Sequence, residues 1–439
     1  MATRVYPRNL FTELQRRWTA PPLDRFPRID LPEKRVFDEL VDVCYHTSFT
    51  MEEGRPIVFR VAIIGADRSV SPDREEPLPF EPIERYLLGQ AVPFTENELR
   101  RLAPVADPRR VIIAVEPTGE GSQLRIYGLI DVGMALWEMA RHEGAMGVAS
   151  PEVLVVSSTR PGELLLARGD RPVLRLRGGK IEVPADRLLF RGPVARFFAG
   201  ASDDLIREAC RRAEVSRRGR DDGREFAHIE FIESILLHTA ELNHGGALLF
   251  VPEDTADDDE HLAAAVSIKY RLPSNRPRES LLQAMAVRLQ HNATHSRLHR
   301  QSTVRRADME ELEALDWNQG NYEDTARDAA RFIASLTAVD GAVVLTDQLR
   351  IIGFGAEVRV STGTDTIYSA TDAQGTDLSP VPFTSYGTRH RSSFRFVESM
   401  EPAVAFILSQ DGGIKAAIMV DDRVVMWPYF EVGYTTALS

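Results

Sequence analysis

The sequence predicts an α/β protein in two parts: a C-terminal mixed β-sheet flanked by helices, preceded by a separate α+β domain. Three observations carry this reading. First, "HIEFIESILLHTAELNHGGALLFVPED" places Ile229, Ile232, Ile235 and Leu236 on one face of a helix, stops at Gly245 and Gly246, and continues as a short buried strand from Ala247 to Val251. Second, the same phrase returns in "ARDAARFIASLTAVDGAVVLTDQLRIIGFGAEV", where Ala326, Ala329, Ala330 and Ile333 share a helical face ahead of a hairpin of two apolar strands. Third, the charged, glycine-broken "VSRRGRDDGREFA" (215–227) has no apolar periodicity and divides the chain near its middle.

Before that boundary, "RPIVFRVAII" (55–64), "RRVIIAVE" (109–116) and "QLRIYGLIDV" (123–132) read as β-branched strands, and "EVLVVSST", "ELLLAR" and "PVLRLRGGKIEV" add short strands between turn residues. Helices are expected over 35–46, 133–142 and 203–213. Residues 1–220 therefore form the α+β domain. Nothing in it has catalytic spacing, which suits a sensor or regulatory role for an unidentified ligand or protein. Cys44 and His46 have no second pair of metal-type residues beside them, so a helix end is the better reading.

After the boundary, residues 228–439 form the second domain. Residues 278–316 read as mostly polar helix, in which His291, His295 and His299 recur every four residues along one face. Metal ligands come with carboxylate or cysteine partners, and here the neighbours are Asn292, Arg297 and Arg300, so a solvated basic face is expected. "AVAFILSQDGGIKAAIMVDDRVVMWP" then supplies three strands turned by Asp411-Gly412-Gly413 and Asp421-Asp422.

Composition limits the function. The chain has 439 residues, 43% of them hydrophobic, enough for two cored domains. A net charge of -12 argues against a surface that grips nucleic acid or anionic lipid along its length, so any anion site must be a local basic pocket. Two distant cysteines, Cys44 and Cys210, read as buried reduced thiols. No apolar run approaches the ~20 residues of a membrane span, and a cytoplasmic location is expected.

The chemistry concentrates in two short phrases. Asp340 sits between a helix and the strand beginning at Ala342, at the mouth of the sheet, where a carboxylate can hold a divalent cation or orient a hydroxyl. Gly341 and Ala342 would let a flat ligand approach the main chain. Asp-Gly is also among the commonest turn dipeptides, and alone it is a weak signal. In "GTRHR", Gly387 permits an unusual backbone angle, Thr388 offers a hydroxyl, Arg389 a fork of donors matched to phosphate, and His390 a donor when charged. A helix starting here would point its free amides at the same anion. On these residues alone a polyphosphate site and a solvated basic turn stand level.

A strand beginning "GALLFV", a "DGAVVL" hairpin, "GTRHR", and a strand ending in "LSQ" before a glycine turn follow the order of elements in the diadenylate cyclase domain family, the catalytic domain of bacterial enzymes that make cyclic di-AMP. The chain resembles that family from about residue 228 to its C-terminus. The resemblance implies that Asp340 is the catalytic aspartate, holding Mg²⁺ or Mn²⁺ and helping to activate a ribose 3′-hydroxyl. It implies that Gly341 and Ala342 contact nucleoside, that Gly387, Thr388, Arg389, His390 and Arg391 bind the triphosphate with Arg389 and His390 catalytic, and that Ser409 touches phosphate. Val358 falls near a position where many members have leucine against adenine. Two departures stand out: Gln410 replaces a glutamate found in some members, and the segment 255–320 is longer than the usual linker.

The implied reaction joins two ATP into cyclic di-AMP with release of two pyrophosphates. Each 3′-hydroxyl attacks the other nucleotide's α-phosphate, so the resemblance implies a homo-oligomer with two domains face to face. Two other readings stand beside it: a module that binds nucleotide without turnover, and a partner-binding protein that uses the domain only to dimerise.

Overall fold

The computed structural model describes residues 5–18, 30–52, 54–65, 84–107, 111–118, 123–131, 153–158, 160–169, 171–183, 188–216, 227–242, 244–257, 259–301, 305–361, 363–409 and 413–429. The expected helix at 133–142 and Gln410 lie outside these residues. Two compact units form, one up to Pro184 and the other from Ala185. Both carry a large mixed sheet with helices.

The first unit has an eight-stranded sheet in the order 180–182, 171–177, 164–168, 154–158, 59–63, 111–117, 124–131, 84–93. Among the described residues of this unit, Phe59–Ile63 and Val111–Pro117 pair in parallel and the other strand pairs are antiparallel. The β-branched runs of the sequence supply its centre, where Val61, Ile113, Val115 and Val156 are buried. Helices Leu10–Arg17 and Lys34–Ser48 cover that face through Leu10, Leu14, Phe37, Leu40, Val41 and Cys44. The ten-residue strand Glu84–Pro93 and the helix Glu96–Leu102, capped by Thr95, have no counterpart in the sequence reading. Six of the strand's ten residues are exposed, so it lacks the apolar alternation that marks a strand. Both cysteines are buried, and burial pushes the Cys44 thiol up.

The second unit has a nine-stranded sheet in the order 266–274, 351–358, 342–346, 246–251, 404–408, 414–420, 423–427, 366–370, 378–382. Gly246–Val251 runs parallel to Ala342–Thr346 and antiparallel to Val404–Leu408. Successive side chains alternate between faces. Leu249, Val344, Ala405, Ile407 and Ala417 share a core with Phe394, Phe396 and Val397 of the helix Thr388–Ser399 and with Leu262 of the helix Asp259–Ala265. On the opposite face, Phe198 of the helix Gly192–Arg212 packs its ring 5.3 Å from Phe250 and 6.4 Å from Phe406. Helices Ala227–Glu241 and Arg276–His299 pack with it, and Arg306–Leu336 packs against those two. Ile232, Ile235, Leu236, Ala330 and Ile333 are buried, as their helical spacing requires.

The boundary between compact units lies earlier than the charged stretch at 215–227. The helix that the sequence starts at residue 203 begins at Gly192, with Pro193 in its first turn. Its buried face belongs to the second unit's core, and Ser202 Oγ lies 2.7 Å from His228 Nδ1.

The 255–320 segment contributes the edge strand Val266–Ser274 and a helical hairpin to the second unit. Its histidine face is a seam as well as a surface. His291 Nε2 lies 2.8 Å from Asp316 Oδ1 across the hairpin, while His295 and His299 stay exposed with rings 4.4 Å apart. Among the described residues, no group of three or more His, Cys, Asp or Glu is arranged to hold a metal.

Candidate functional site

Strand register brings the Asp340 phrase and the Ser409 turn to one end of the second sheet. Leu248 pairs with Val343, Gly246 with Leu408, Leu408 with Ile414, and Ala342 with Ala356. Asp340–Ala342, Gly246, Ser409, Lys415 and Val358 therefore lie at the same end. The Ala342 and Val404 strands are separated by one strand, so about 10 Å, two inter-strand spacings, divides their ends.

Asp340 is exposed, and its Oδ1 accepts the Gly341 amide at 3.1 Å. Gly341 has φ +111°, a conformation that other residues adopt with strain. A β-carbon there would stand 2.6 Å from the Gly355 carbonyl carbon and 2.8 Å from the Ala356 nitrogen. The adjacent strand's main chain thus fills the direction in which a side chain would project, and the glycine has a structural cause at this point. Ala342 is buried. Val358 is partly buried against the core of that face and keeps the sheet end apolar.

The helix Thr388–Ser399 starts within the basic phrase as the sequence implies. Gly387 is its N-cap at φ -69° and ψ 169°, with open space around the β-carbon position. The unusual backbone angle expected of Gly387 is therefore absent. What the glycine does supply is the lack of a capping side chain, for the cap makes no side-chain hydrogen bond. The first intrahelical bond runs from Arg391 N to Gly387 O at 3.1 Å, so the amides of Thr388, Arg389 and His390 precede it.

The three basic residues divide. His390 is half-buried, with its ring 5.7 Å from Tyr386 and 6.3 Å from Phe394. Its Nε2 is buried and makes no hydrogen bond with the described residues. Burial, followed by the charges of Lys415 and Arg389, pushes His390 down to about 4. Arg391 turns to another side, its guanidinium 6.0 Å from the Phe383 ring that Arg395 approaches at 4.8 Å. Thr388 is exposed and Arg389 half-buried at the helix entrance.

Lys415 was missed by motif reading. Its Nζ donates to Ser409 Oγ at 3.2 Å. It shares a strand face with Ala417, whose side chain packs in the core beneath the Thr388–Ser399 helix. The signal was available in "GGIKAAIMV", because a lysine among otherwise apolar inward positions needs a reason to be there. Lys415, Arg389 and the helix's first amides make the neighbourhood of His390 electropositive. Such a place favours an anion with several oxygens.

Residues 27–131 match the family model described as "Probable sensor domain DACNV", which supports an N-terminal sensor domain. The match runs across the helix Lys34–Ser48 and four strands of the first sheet, ending with Leu124–Asp131. No curated protein matches the chain. Among solved structures, one titled the hypothetical membrane spanning protein from Bacillus cereus has 13% identity and a TM-score of 0.24, covering 52% of this chain and 96% of that one.

Proposed function

We propose that this protein is a diadenylate cyclase that condenses two ATP into cyclic di-AMP and two pyrophosphates, under control of its N-terminal sensor domain. The observation that carries the reading is that Asp340 and Ser409 lie at one end of one sheet, where Lys415, hydrogen-bonded to Ser409, acts by its charge on His390 at the entrance of the Thr388–Ser399 helix. The association of the DACNV sensor family with diadenylate cyclases supports it.

Each group has a defined task. The free amides of the helix entrance and Arg389 hold the triphosphate and take up charge on the departing pyrophosphate. Ser409 contributes a hydroxyl to phosphate. Gly341 and Ala342 border the nucleoside, with Val358 as its apolar neighbour. Asp340 orients the 3′-hydroxyl that attacks the α-phosphorus. As the new P–O bond forms, the bond to the β-phosphate oxygen breaks, and the hydroxyl proton leaves to solvent.

The residues fit a divalent cation of the magnesium type, which takes one or two carboxylates and completes its shell with substrate phosphates and water. Asp340 is one exposed carboxylate at the sheet end, and it would hold the ion. When bound, Mg²⁺ or Mn²⁺ supplies charge neutralisation on the phosphates. One sheet end accommodates one nucleotide, so the cyclic product requires two copies of the unit face to face, each giving half of the reaction centre.

Incubating the full chain with ATP and Mn²⁺ or Mg²⁺, and separating products by chromatography with mass detection, tests the reading. Cyclic di-AMP is the expected product. ATP bound without any cyclic product would make the protein a nucleotide sensor. Neither binding nor product would leave a dimerisation module.

A further inference from the structure

We propose that Lys415 is a phosphate-holding residue of this site, gripping the polyphosphate chain of the nucleotide together with Arg389 and the helix entrance, and that it sets Ser409 as a second donor. This deepens the cyclase reading and rests on it. The motif residues do not include this lysine.

The geometry points there in three ways. Lys415 is the second residue of its strand, directly after Ile414, which pairs with Leu408, the neighbour of Ser409. It occupies the face covered by the Thr388–Ser399 helix, as Ala417 does two residues on. Its charge reaches His390, and the other charge that acts on His390 is the cation Arg389. Two cations and a helix entrance beside one half-buried imidazole offer several donors to one anion, and a polyphosphate has oxygens enough to accept from all of them.

The Ser409 contact has a direction. Lysine ammonium has donors only, so Ser409 Oγ must accept from Nζ at 3.2 Å. The serine's own proton is then turned away from the lysine and available to an acceptor. A phosphate oxygen beside the pair can take both hydrogen bonds, one from Nζ and one from the hydroxyl. The Ser409 main chain is also fixed, its amide donating to Gly413 O at 3.1 Å, so the pair is held in place.

The test uses the full chain with Lys415→Met, Lys415→Gln and Lys415→Arg, measuring ATP, tripolyphosphate and adenosine binding by calorimetry and cyclisation by product formation. Removing the ammonium should weaken ATP and tripolyphosphate about 10- to 100-fold, the scale of a lost charge-assisted hydrogen bond, with adenosine changed by less than about twofold. Lys415→Arg should recover most of the loss, and the cyclisation defect should lie mainly in KM. Having both Met and Gln variants guards against one failing to fold. Unchanged ATP affinity in a folded Met or Gln variant, with wild-type cyclisation intact, overturns the inference and leaves the cyclase reading standing. Equal weakening of ATP and adenosine also overturns it, because the lysine would then act through the fold. A wild-type chain that binds neither ATP nor tripolyphosphate overturns both.

Discussion

The main chain of Gly341 lies directly against that of Gly355, so that a β-carbon on Gly341 would come within 2.6 Å of the Gly355 carbonyl carbon. Gly355 also has positive φ, +65°, and the pairing of the two strands shifts between Ala342 and Val344. This irregularity sits next to Asp340, whose backbone carbonyl would be 3.6 Å from a β-carbon on Gly355. The two glycines thus let the neighbouring strands close up where the aspartate must be presented.

Gly341→Ala should therefore destabilise the second unit by about 1–3 kcal/mol, the scale of strain at a disfavoured backbone angle, with activity lost alongside. Gly387→Ala makes the contrast, since its φ of -69° suits any residue and open space surrounds it. Its stability should stay within about 0.5 kcal/mol of wild type. Urea midpoints of the two variants decide the matter; equal stability would mean that the strands can part at Gly341 without cost.

Asp340→Asn keeps the side chain's size and removes its charge. Turnover should fall by at least ~100-fold, as when a main electrostatic group of a transition state is lost, with ATP affinity changed far less. Arg389→Ala should weaken ATP binding and leave thermal stability within ~0.5 kcal/mol, since it sits at a half-buried helix entrance. Near-normal cyclisation by Asp340→Asn would remove the carboxylate from the chemistry.

How much of this was legible in the sequence depends on what each residue needed. Ile232, Ile235, Ala330 and Ile333 announce helices because burial of one face imposes their spacing, and the "GALLFV" and "DGAVVL" strands announce themselves by apolar runs between turns. The Thr388–Ser399 helix was legible from its glycine and basic entrance. Glu84–Pro93 was hidden, since its exposed residues give no alternation. Lys415 stood out as a lysine in an apolar run, but its contact with Ser409 was hidden because a turn joins side chains six positions apart, and the reason for Gly341 was hidden because it depends on a strand fourteen residues on.

His228 gives a pH prediction. It is fully buried beneath the Gly192–Arg212 helix, and burial pushes it down to about 4 from 6.5. Between those values the unfolded chain binds a proton that the folded chain refuses, so this histidine makes stability fall as pH drops from about 6.5 to 4. Glu230 and Asp347, which burial pushes up to about 7 and about 6, act in the opposite sense over part of that window. The comparison with His228→Gln isolates the histidine. The loss of stability on acidification should be smaller in the variant by one proton's contribution, read from urea midpoints between pH 4 and 7; parallel curves would mean that His228 is protonated in the fold.

The placement of the Gly192–Arg212 helix decides where the chain can be cut. Phe198 is fully buried, stacked on Phe406 and edge-on to Phe250, and Ser202 Oγ meets Nδ1 of the buried His228. A fragment of residues 225–439, cut in the charged stretch, would expose Phe250 and Phe406 and lose the Ser202 hydroxyl from the buried imidazole. Removing a buried phenylalanine alone costs about 3–5 kcal/mol. That fragment should be insoluble or melt far below one of residues 188–439, which keeps the helix. The longer fragment should bind ATP, and if two half-sites must meet by mass action its specific activity should rise with protein concentration. Melting temperatures of the two fragments within a few degrees of each other would show that the helix adds nothing to the core, and a flat concentration dependence in an active fragment would count against two opposed half-sites.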